Sequence, residues 1–165
     1  MLVFKFYDFA PMVFRRIRKL FGITEQDYMQ SLGPEQVLAA FFHKNFDYLQ
    51  TLLSTGKSGS LFYYTKDNNY MIKEIHETEF NKFFHILKAY YEHIEANHDT
   101  LISRFFGLHQ VIWKDTSGKV NKKYLVIMNN VFKFKDFDIG VRFDLKGSSQ
   151  SRAFLTEDQT IEDHC

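Results

Sequence analysis

The chain has 165 residues, of which 45% are hydrophobic and 18% aromatic, which excludes a chain that stays disordered for lack of apolar side chains. This length suits one domain with a substantial core. The 21 basic and 20 acidic residues nearly cancel, and a net charge of +1 points to no particular partner. Because the aromatic residues recur at core spacings and not in a basic stripe, we expect no nucleic-acid partner.

The cysteine content and the lengths of the apolar runs indicate the cellular compartment of the protein. The lone Cys165 cannot form an internal disulfide, which is typical of a reducing compartment. No run approaches the ~18 apolar residues of a membrane span. Asp8 interrupts the N-terminal stretch where a signal peptide would be apolar. We therefore expect a cytoplasmic domain.

The first predicted elements are helices. Asp8 can cap a first helix that has Pro11 in its opening turn, and Gly22 ends it. Thr24 with Asp27 then resembles a capping box and predicts a second helix. Further along, apolar residues keep the helical period across residues 34–53, which predicts more helix there.

A sheet with one packed helix is predicted next. Strands at 60–65 and 70–75 flank a good hairpin turn, and a helix runs from Glu77 to about Asn97. Three more strands follow, at 105–113, 122–131 and near 139–144. Helices followed by the order β-β-α-β-β-β predict an α+β fold, an antiparallel sheet with a packed helix, which is the element order of a kinase-like small lobe.

A small-residue loop precedes the first hairpin. Ser58, Gly59 and Ser60 carry little side chain, so their backbone N–H groups could approach a phosphate without a Cβ clash. Lys73 on the second strand would lie under that loop and add one positive charge. Taken alone, the loop is better explained as a plain turn and Lys73 as an ordinary exposed strand lysine.

Two other groups of residues complete the pattern. Glu79, near the start of the predicted helix, could pair with Lys73, although Glu74 and Glu77 are close rivals. Met128 and Asn129 end an apolar strand, where a kinase would pass the adenine ring, and locally they fit a strand running into turn-forming asparagines equally well.

These motifs, together with the run FDLKGS at residues 143–148, resemble the ATP-binding half of the phosphatidylinositol phosphate kinases. The resemblance includes YDFAPMVFRRIR at residues 7–18 and covers most of residues 4–152. It implies that residues 1–152 are the N-terminal lobe of such a kinase domain, with residues 153–165 a divergent and unstructured tail. The implied ATP-binding residues are Ser58, Gly59, Ser60, Lys73, Glu79, Met128, Asn129 and Lys146.

The resemblance also implies a reaction and its requirements. The run at residues 57–64 favours the type that converts phosphatidylinositol 4-phosphate to the 4,5-bisphosphate. ATP is the expected cofactor, and the complete kinase is expected to use Mg²⁺. The family's metal ligands and catalytic loop are absent from these 165 residues, so we assign no catalytic or metal residue and expect this chain alone to be inactive.

A basic cluster on the first helix suggests a surface role. Arg15, Arg16, Arg18 and Lys19 are close in sequence, and a basic helix face attracts anionic headgroups. The resemblance implies a phosphoinositide substrate, peripheral association with the cytosolic face of the plasma membrane, and a homodimer contact through the N-terminal helices. The plain alternative is a solvated helix face.

Two other functions stay open. The chain could be a non-catalytic truncated lobe that serves as a dimerisation or membrane-surface module. It could also be an unrelated α+β binding module, if the shared strings are accidental.

Overall fold

The computed structural model describes residues 4–33, 49–52 and 62–133. Within them, six strands form one antiparallel sheet in the order β1-β5-β6-β4-β3-β2. The strands are β1 Phe4–Asp8, β2 Leu49–Leu52, β3 Phe62–Thr65, β4 Tyr70–Ile75, β5 Phe105–Lys114 and β6 Val120–Asn129. The helices are α1 Pro11–Leu20, α2 Glu25–Leu32 and α3 Glu77–Ala96. The predicted α+β class is confirmed.

One compact unit runs from Met1 to Val131 and a second from Phe132 to Cys165, of which only residues 132 and 133 are described. The first unit therefore contains the whole described sheet and its three described helices. The predicted strand at 139–144 and the predicted tail lie outside the described residues.

Helices cover both faces of the sheet. On α3, the Phe80 ring lies 4.5 Å from the ring of Tyr124 on β6. On α2, the Tyr28 ring lies 5.6 Å from that of Tyr70 on β4, which pairs with Asn129. Side chains alternate along a strand, so positions 124 and 129 of β6 face opposite ways and α2 and α3 pack on opposite faces.

The local signals for α2 and for the β3–β4 hairpin are confirmed. Thr24 is the N-cap of α2, and its Oγ1 accepts a hydrogen bond from the Asp27 N–H at 3.1 Å. In the hairpin turn, Asp67 Oδ1 accepts hydrogen bonds from the Thr65 hydroxyl at 2.6 Å and from the Asn69 N–H at 3.1 Å. Short polar side chains at these positions satisfy backbone donors that would otherwise face only water.

The prediction that Asp8 caps α1 is wrong. Residues 4–8 form β1, in which Asp8 pairs with His109 of β5. The extended backbone of β1 ends there, and α1 begins at Pro11 with Ala10 as its N-cap in a left-handed conformation, φ 48°. Pro11 does occupy the first turn, and Gly22, at φ 70°, follows the end of the helix as predicted.

The predicted helix over 34–53 is wrong at its end. Residues 49–52 form β2, whose backbone pairs with β3 in the register Leu49 with Thr65. A short apolar run is compatible with both the helical and the strand period. Whether it forms a strand depends on pairing with another strand elsewhere in the chain. Residues 34–48 lie outside the described residues.

Candidate functional site

Lys73 lies in the middle of β4, between Phe62 of β3 and Val126 of β6. Its Nζ is 3.2 Å from Glu79 Oε1 on α3, and its side chain is 25% exposed. An ammonium has three donors, and this contact uses one of them. Lys73 is therefore held in direction by the helix and keeps donors for a further anionic ligand.

Two partners hold the Glu79 carboxylate. Glu79 is at the third position of α3, and its Oε2 accepts a hydrogen bond from the His76 N–H at 2.9 Å. That N–H is the largest cause that lowers the pKa of Glu79. Burial opposes it, and the hydrogen bond from Lys73 lowers the pKa further. The carboxylate is thus ionised at neutral pH and already turned toward the sheet.

The two rival carboxylates pair with other lysines. Glu74 Oε2 lies 2.6 Å from the Lys123 ammonium, on the face of β4 opposite to Lys73. Glu77 lies 2.7 Å from the Lys122 ammonium and accepts a hydrogen bond from the Tyr124 hydroxyl at 2.8 Å. Among the carboxylates of the described residues, Glu79 is therefore the one in contact with Lys73.

Met128 lies close to Lys73 on the sheet. Met128 pairs with Met71, and Val126 pairs with Lys73, so Met128 and Lys73 are diagonal neighbours that face the same way, about 7 Å apart along the strands. This puts an apolar side chain beside a cation on one face of β4 and β6. A ligand that combines a flat apolar part with an anionic part fits such a pair.

Backbone contacts anchor the end of β6. The Asn129 N–H donates to the Arg104 carbonyl, and the Arg104 N–H donates to Asn129 Oδ1, both at 3.0 Å. The next residue, Asn130, contacts the β3–β4 turn through its N–H, which donates to the Asn69 carbonyl at 3.1 Å. The sequence analysis did not predict these contacts. The two asparagines at the end of the strand could have indicated them, because asparagine side chains often bond to nearby backbone groups.

Arg18 is not part of an exposed basic face. It is 8% exposed, its Nη1 donates to the Phe106 carbonyl at 2.8 Å, and its guanidinium lies 4.1 Å from the centre of the Tyr28 ring. Its Nη2 is 3.2 Å from Glu25. The side chain points inward because α1 packs on β5, so the prediction is wrong for Arg18.

The other three basic residues of α1 are exposed: Arg15, Arg16 and Lys19. Arg15 Nε also lies 3.5 Å from Glu25. On the same helix, Leu20 is 36% exposed, whereas Phe14 and Ile17 are fully buried. The basic surface of α1 is therefore narrower than predicted.

Four of the predicted ATP-binding residues lie outside the described residues: Ser58, Gly59, Ser60 and Lys146. Within the described ranges, no group of three His, Cys, Asp or Glu side chains is arranged to hold a metal ion. No helix in these ranges is long and apolar enough to cross a membrane.

An antiparallel sheet whose central lysine pairs with a carboxylate on the packed helix is the arrangement of a kinase-like small lobe. The family model for phosphatidylinositol-4-phosphate 5-kinase matches residues 43–164. The chain belongs to this family.

Individual relatives agree with the family match. Phosphatidylinositol 4-phosphate 5-kinase of Plasmodium falciparum is 40% identical over 160 residues, which cover 94% of this chain and 9% of that protein. The its3 phosphatidylinositol 4-phosphate 5-kinase of Schizosaccharomyces pombe is 44% identical over 96% of this chain and 19% of its own length. Phosphatidylinositol 4-phosphate 5-kinase 6 of Arabidopsis thaliana is 42% identical, over 96% and 20%. The chain thus spans a fifth or less of these relatives.

Proposed function

We propose that this chain is the ATP-binding part of a lipid kinase that phosphorylates phosphatidylinositol 4-phosphate to the 4,5-bisphosphate. The observation that carries the proposal is the Lys73–Glu79 contact of 3.2 Å between β4 and α3. In kinases, such a pair directs the lysine at the phosphates of ATP. Family membership and the activity for which the relatives are named support the lipid substrate.

In this proposal Lys73 binds the α- and β-phosphates and Glu79 holds it in place. Because Glu79 is also fixed by the His76 N–H, the lysine is oriented before the nucleotide arrives. Pre-orientation lowers the entropic cost of binding, which favours a defined phosphate position over a loose ion contact.

Met128 and Asn129 would contact the adenine ring. Met128 supplies an apolar surface on the face that carries Lys73, which suits the two ends of a nucleotide. Ser58, Gly59, Ser60 and Lys146 are proposed to surround the phosphates, on the strength of their match to the family motifs.

Residues 1–152 would form the nucleotide lobe, which makes residues 153–165 a separate tail. Mg²⁺ would be held by residues of the complete kinase. When bound, it offsets the phosphate charge. Within this chain the charge is offset by Lys73 and Lys146.

Titration with a fluorescent ATP analogue tests the nucleotide proposal. Lys73→Met keeps the length of the side chain and removes the charge, so we expect loss of measurable binding at low salt. Lys146→Met should weaken binding. Lys122→Met is the matched control, because it removes another strand lysine that pairs with α3, 2.7 Å from Glu77. Equal binding by Lys73→Met and the parent chain would refute the proposal.

We also propose that the protein is cytoplasmic and binds peripherally at the cytosolic face of the plasma membrane. The supporting feature is the exposed basic side chains of Arg15, Arg16 and Lys19. A homodimer contact through the N-terminal helices is part of the same proposal, and Met12 on α1, 62% exposed, is available for it.

Vesicle sedimentation tests the membrane proposal. Lys19→Gln should weaken binding to vesicles rich in phosphatidylserine by roughly fivefold, since each basic residue near an anionic surface is worth about 1 kcal/mol. Lys82→Gln, an exposed lysine on α3, is the control. Equal losses from both variants, or none from either, would count against a specific role of α1.

A further inference from the structure

Asn130 connects the end of β6 to the β3–β4 turn through its side chain. Its Nδ2 donates to the Asn68 carbonyl at 2.8 Å, and its backbone N–H donates to the Asn69 carbonyl at 3.1 Å. Two bonds from one residue to consecutive carbonyls fix both its position and its orientation. Asn130 directly follows Met128 and Asn129, the residues proposed to contact adenine.

The chemistry of the side-chain contact is unambiguous. A backbone carbonyl only accepts, so the amide group of Asn130 must present its nitrogen to Asn68. A carboxylate of the same shape has no proton to donate and would place a negative charge against the carbonyl oxygen. The contact therefore distinguishes Asn from Asp at position 130.

The turn that receives Asn130 is itself held in place. Asp67 accepts hydrogen bonds from the Asn69 N–H at 3.1 Å and the Asn69 side-chain amide at 2.7 Å. Its Oδ2 also accepts one from the Ser31 hydroxyl on α2. Asn68 adopts a left-handed conformation, φ 56°, within this turn. A side chain bonded to Asn68 is thus bonded to a rigid part of the sheet.

The same turn leads directly into β4. Strand β4 starts at Tyr70, and Lys73 is its fourth residue. The turn therefore fixes the origin of the strand that carries the phosphate-binding lysine, and Asn130 ties the proposed adenine-contacting segment to that origin. The β4–β6 ladder, in which Met71 pairs with Met128 and Lys73 with Val126, sets the separation between the two halves of the nucleotide site, and Asn130 holds the chain where it leaves that ladder.

We infer that Asn130 is a positioning residue for ATP, which holds the end of the Met128–Asn129 segment against the start of β4 by bonding to the Asn68 carbonyl. The inference rests on the proposed ATP-binding function. It goes further by assigning the adenine position to a residue that touches neither adenine nor phosphate. A purely structural role would instead change overall stability without favouring one part of the nucleotide.

The test compares two ligands on the 165-residue chain. ATP needs both halves of the site, whereas inorganic tripolyphosphate needs only the phosphate half. Asn130→Asp should weaken ATP binding on the order of two- to tenfold, the range expected for one lost hydrogen bond, and leave tripolyphosphate binding unchanged. Asn130→Ala removes the donor without adding charge and should act in the same way, which covers the case that Asn130→Asp does not fold.

Asn97→Asp is the matched control. Asn97 ends α3, and its Nδ2 donates to the His93 carbonyl at 2.9 Å, so the substitution removes the same type of bond and adds the same charge. It should bind both ligands as the parent chain does. A loss of ATP binding equal to that of Asn130→Asp would assign the effect to charge or general stability and overturn the inference.

Four other results are decisive. Unchanged ATP binding by Asn130→Ala, or a parallel loss of tripolyphosphate binding, overturns the positioning role alone. A parent chain that binds neither ligand refutes the proposed nucleotide function and the inference with it. Binding of tripolyphosphate but not ATP by the parent chain refutes the adenine half, and again the inference falls.

Discussion

The Glu79 carboxylate serves two elements at once. One oxygen caps α3 by accepting from the His76 N–H, and the other accepts from Lys73 on β4. The capping role is local and would exist in an isolated helix. The contact with Lys73 exists only because α3 crosses the sheet at this point. The Glu79 side chain therefore both caps the start of α3 and joins α3 to β4.

Glu79→Gln should separate these two roles. Glutamine can still accept from the His76 N–H but loses the charge that attracts Lys73. Because the pair is partly exposed, we expect a loss of less than about 1 kcal/mol in the free energy of unfolding at neutral pH. Nucleotide binding should weaken more clearly, since Lys73 is no longer oriented. Urea unfolding and ATP titration of the same variant measure both effects.

The pH dependence of stability gives a second readout. The pKa of Glu79 in the folded chain is below its unfolded value of 4.5, so its contribution is present above pH 4.5 and is lost as pH falls through the lower folded pKa. The free energy of unfolding should therefore fall less steeply for Glu79→Gln than for the parent chain below pH 4.5. Parallel curves would show that the Glu79 contacts add nothing to stability.

Arg18 provides a test of burial at a single residue. Arg18→Met keeps most of the apolar stem but leaves the Phe106 carbonyl without its donor, so we expect a loss of about 1–3 kcal/mol in unfolding free energy. Arg15→Met is the control, because the Arg15 side chain is 61% exposed and should lose under about 0.5 kcal/mol. Equal effects in denaturant unfolding would contradict the buried position of Arg18.

At the scale of elements, α2 and β5 approach closely at Gly107. A Cβ at this position would lie 2.5 Å from the Tyr28 hydroxyl oxygen and 2.7 Å from His109 Nε2. Both distances are too short for a carbon, and the surrounding side chains are largely buried. Only glycine lets the helix sit this close to the strand.

Gly107→Ala should destabilise the chain by about 1–3 kcal/mol, the usual cost of overpacking a core. Tyr28→Phe removes one of the two clashing atoms, so the double variant should be more stable than Gly107→Ala alone, with His109 accounting for the remaining loss. A double-mutant cycle by thermal or urea unfolding measures this coupling. Additive effects of the two substitutions would mean that α2 does not contact β5 at Gly107.

For the whole molecule, we expect nucleotide binding and phosphoryl transfer to be separable. The matched relatives are five to more than ten times longer than the aligned region, since it covers 9–20% of them. Phosphoryl transfer needs Mg²⁺ and a residue that orients the attacking hydroxyl.

We therefore expect the 165-residue chain to bind ATP weakly and to transfer no phosphate to phosphatidylinositol 4-phosphate above background. The assay is incorporation of labelled phosphate into lipid vesicles at saturating Mg²⁺ and ATP, with a longer phosphatidylinositol 4-phosphate 5-kinase as the positive control. Transfer at a rate comparable to that control would contradict the proposal that this chain binds ATP but does not transfer phosphate by itself.

The sequence by itself determined the elements whose signals are local. The β3–β4 turn follows from a Thr-Lys-Asp-Asn-Asn stretch between two β-rich runs, and α3 follows from its helical apolar period. Cap residues and turn carboxylates act on backbone groups within a few positions. This proximity is why α2 starts at Glu25, after Thr24, as predicted.

Only the tertiary structure decided the features that depend on distant partners. Strands β1 and β2 exist because each pairs with a distant strand, β1 with β5 and β2 with β3. A short apolar run in the sequence does not indicate such a pairing. Arg18 is buried because a carbonyl 88 residues away accepts from it. The selection of Glu79 over Glu74 and Glu77 follows from where α3 crosses the sheet. Composition and hydrophobic period do not predict these contacts, because each contact depends on which surfaces meet after the chain has folded.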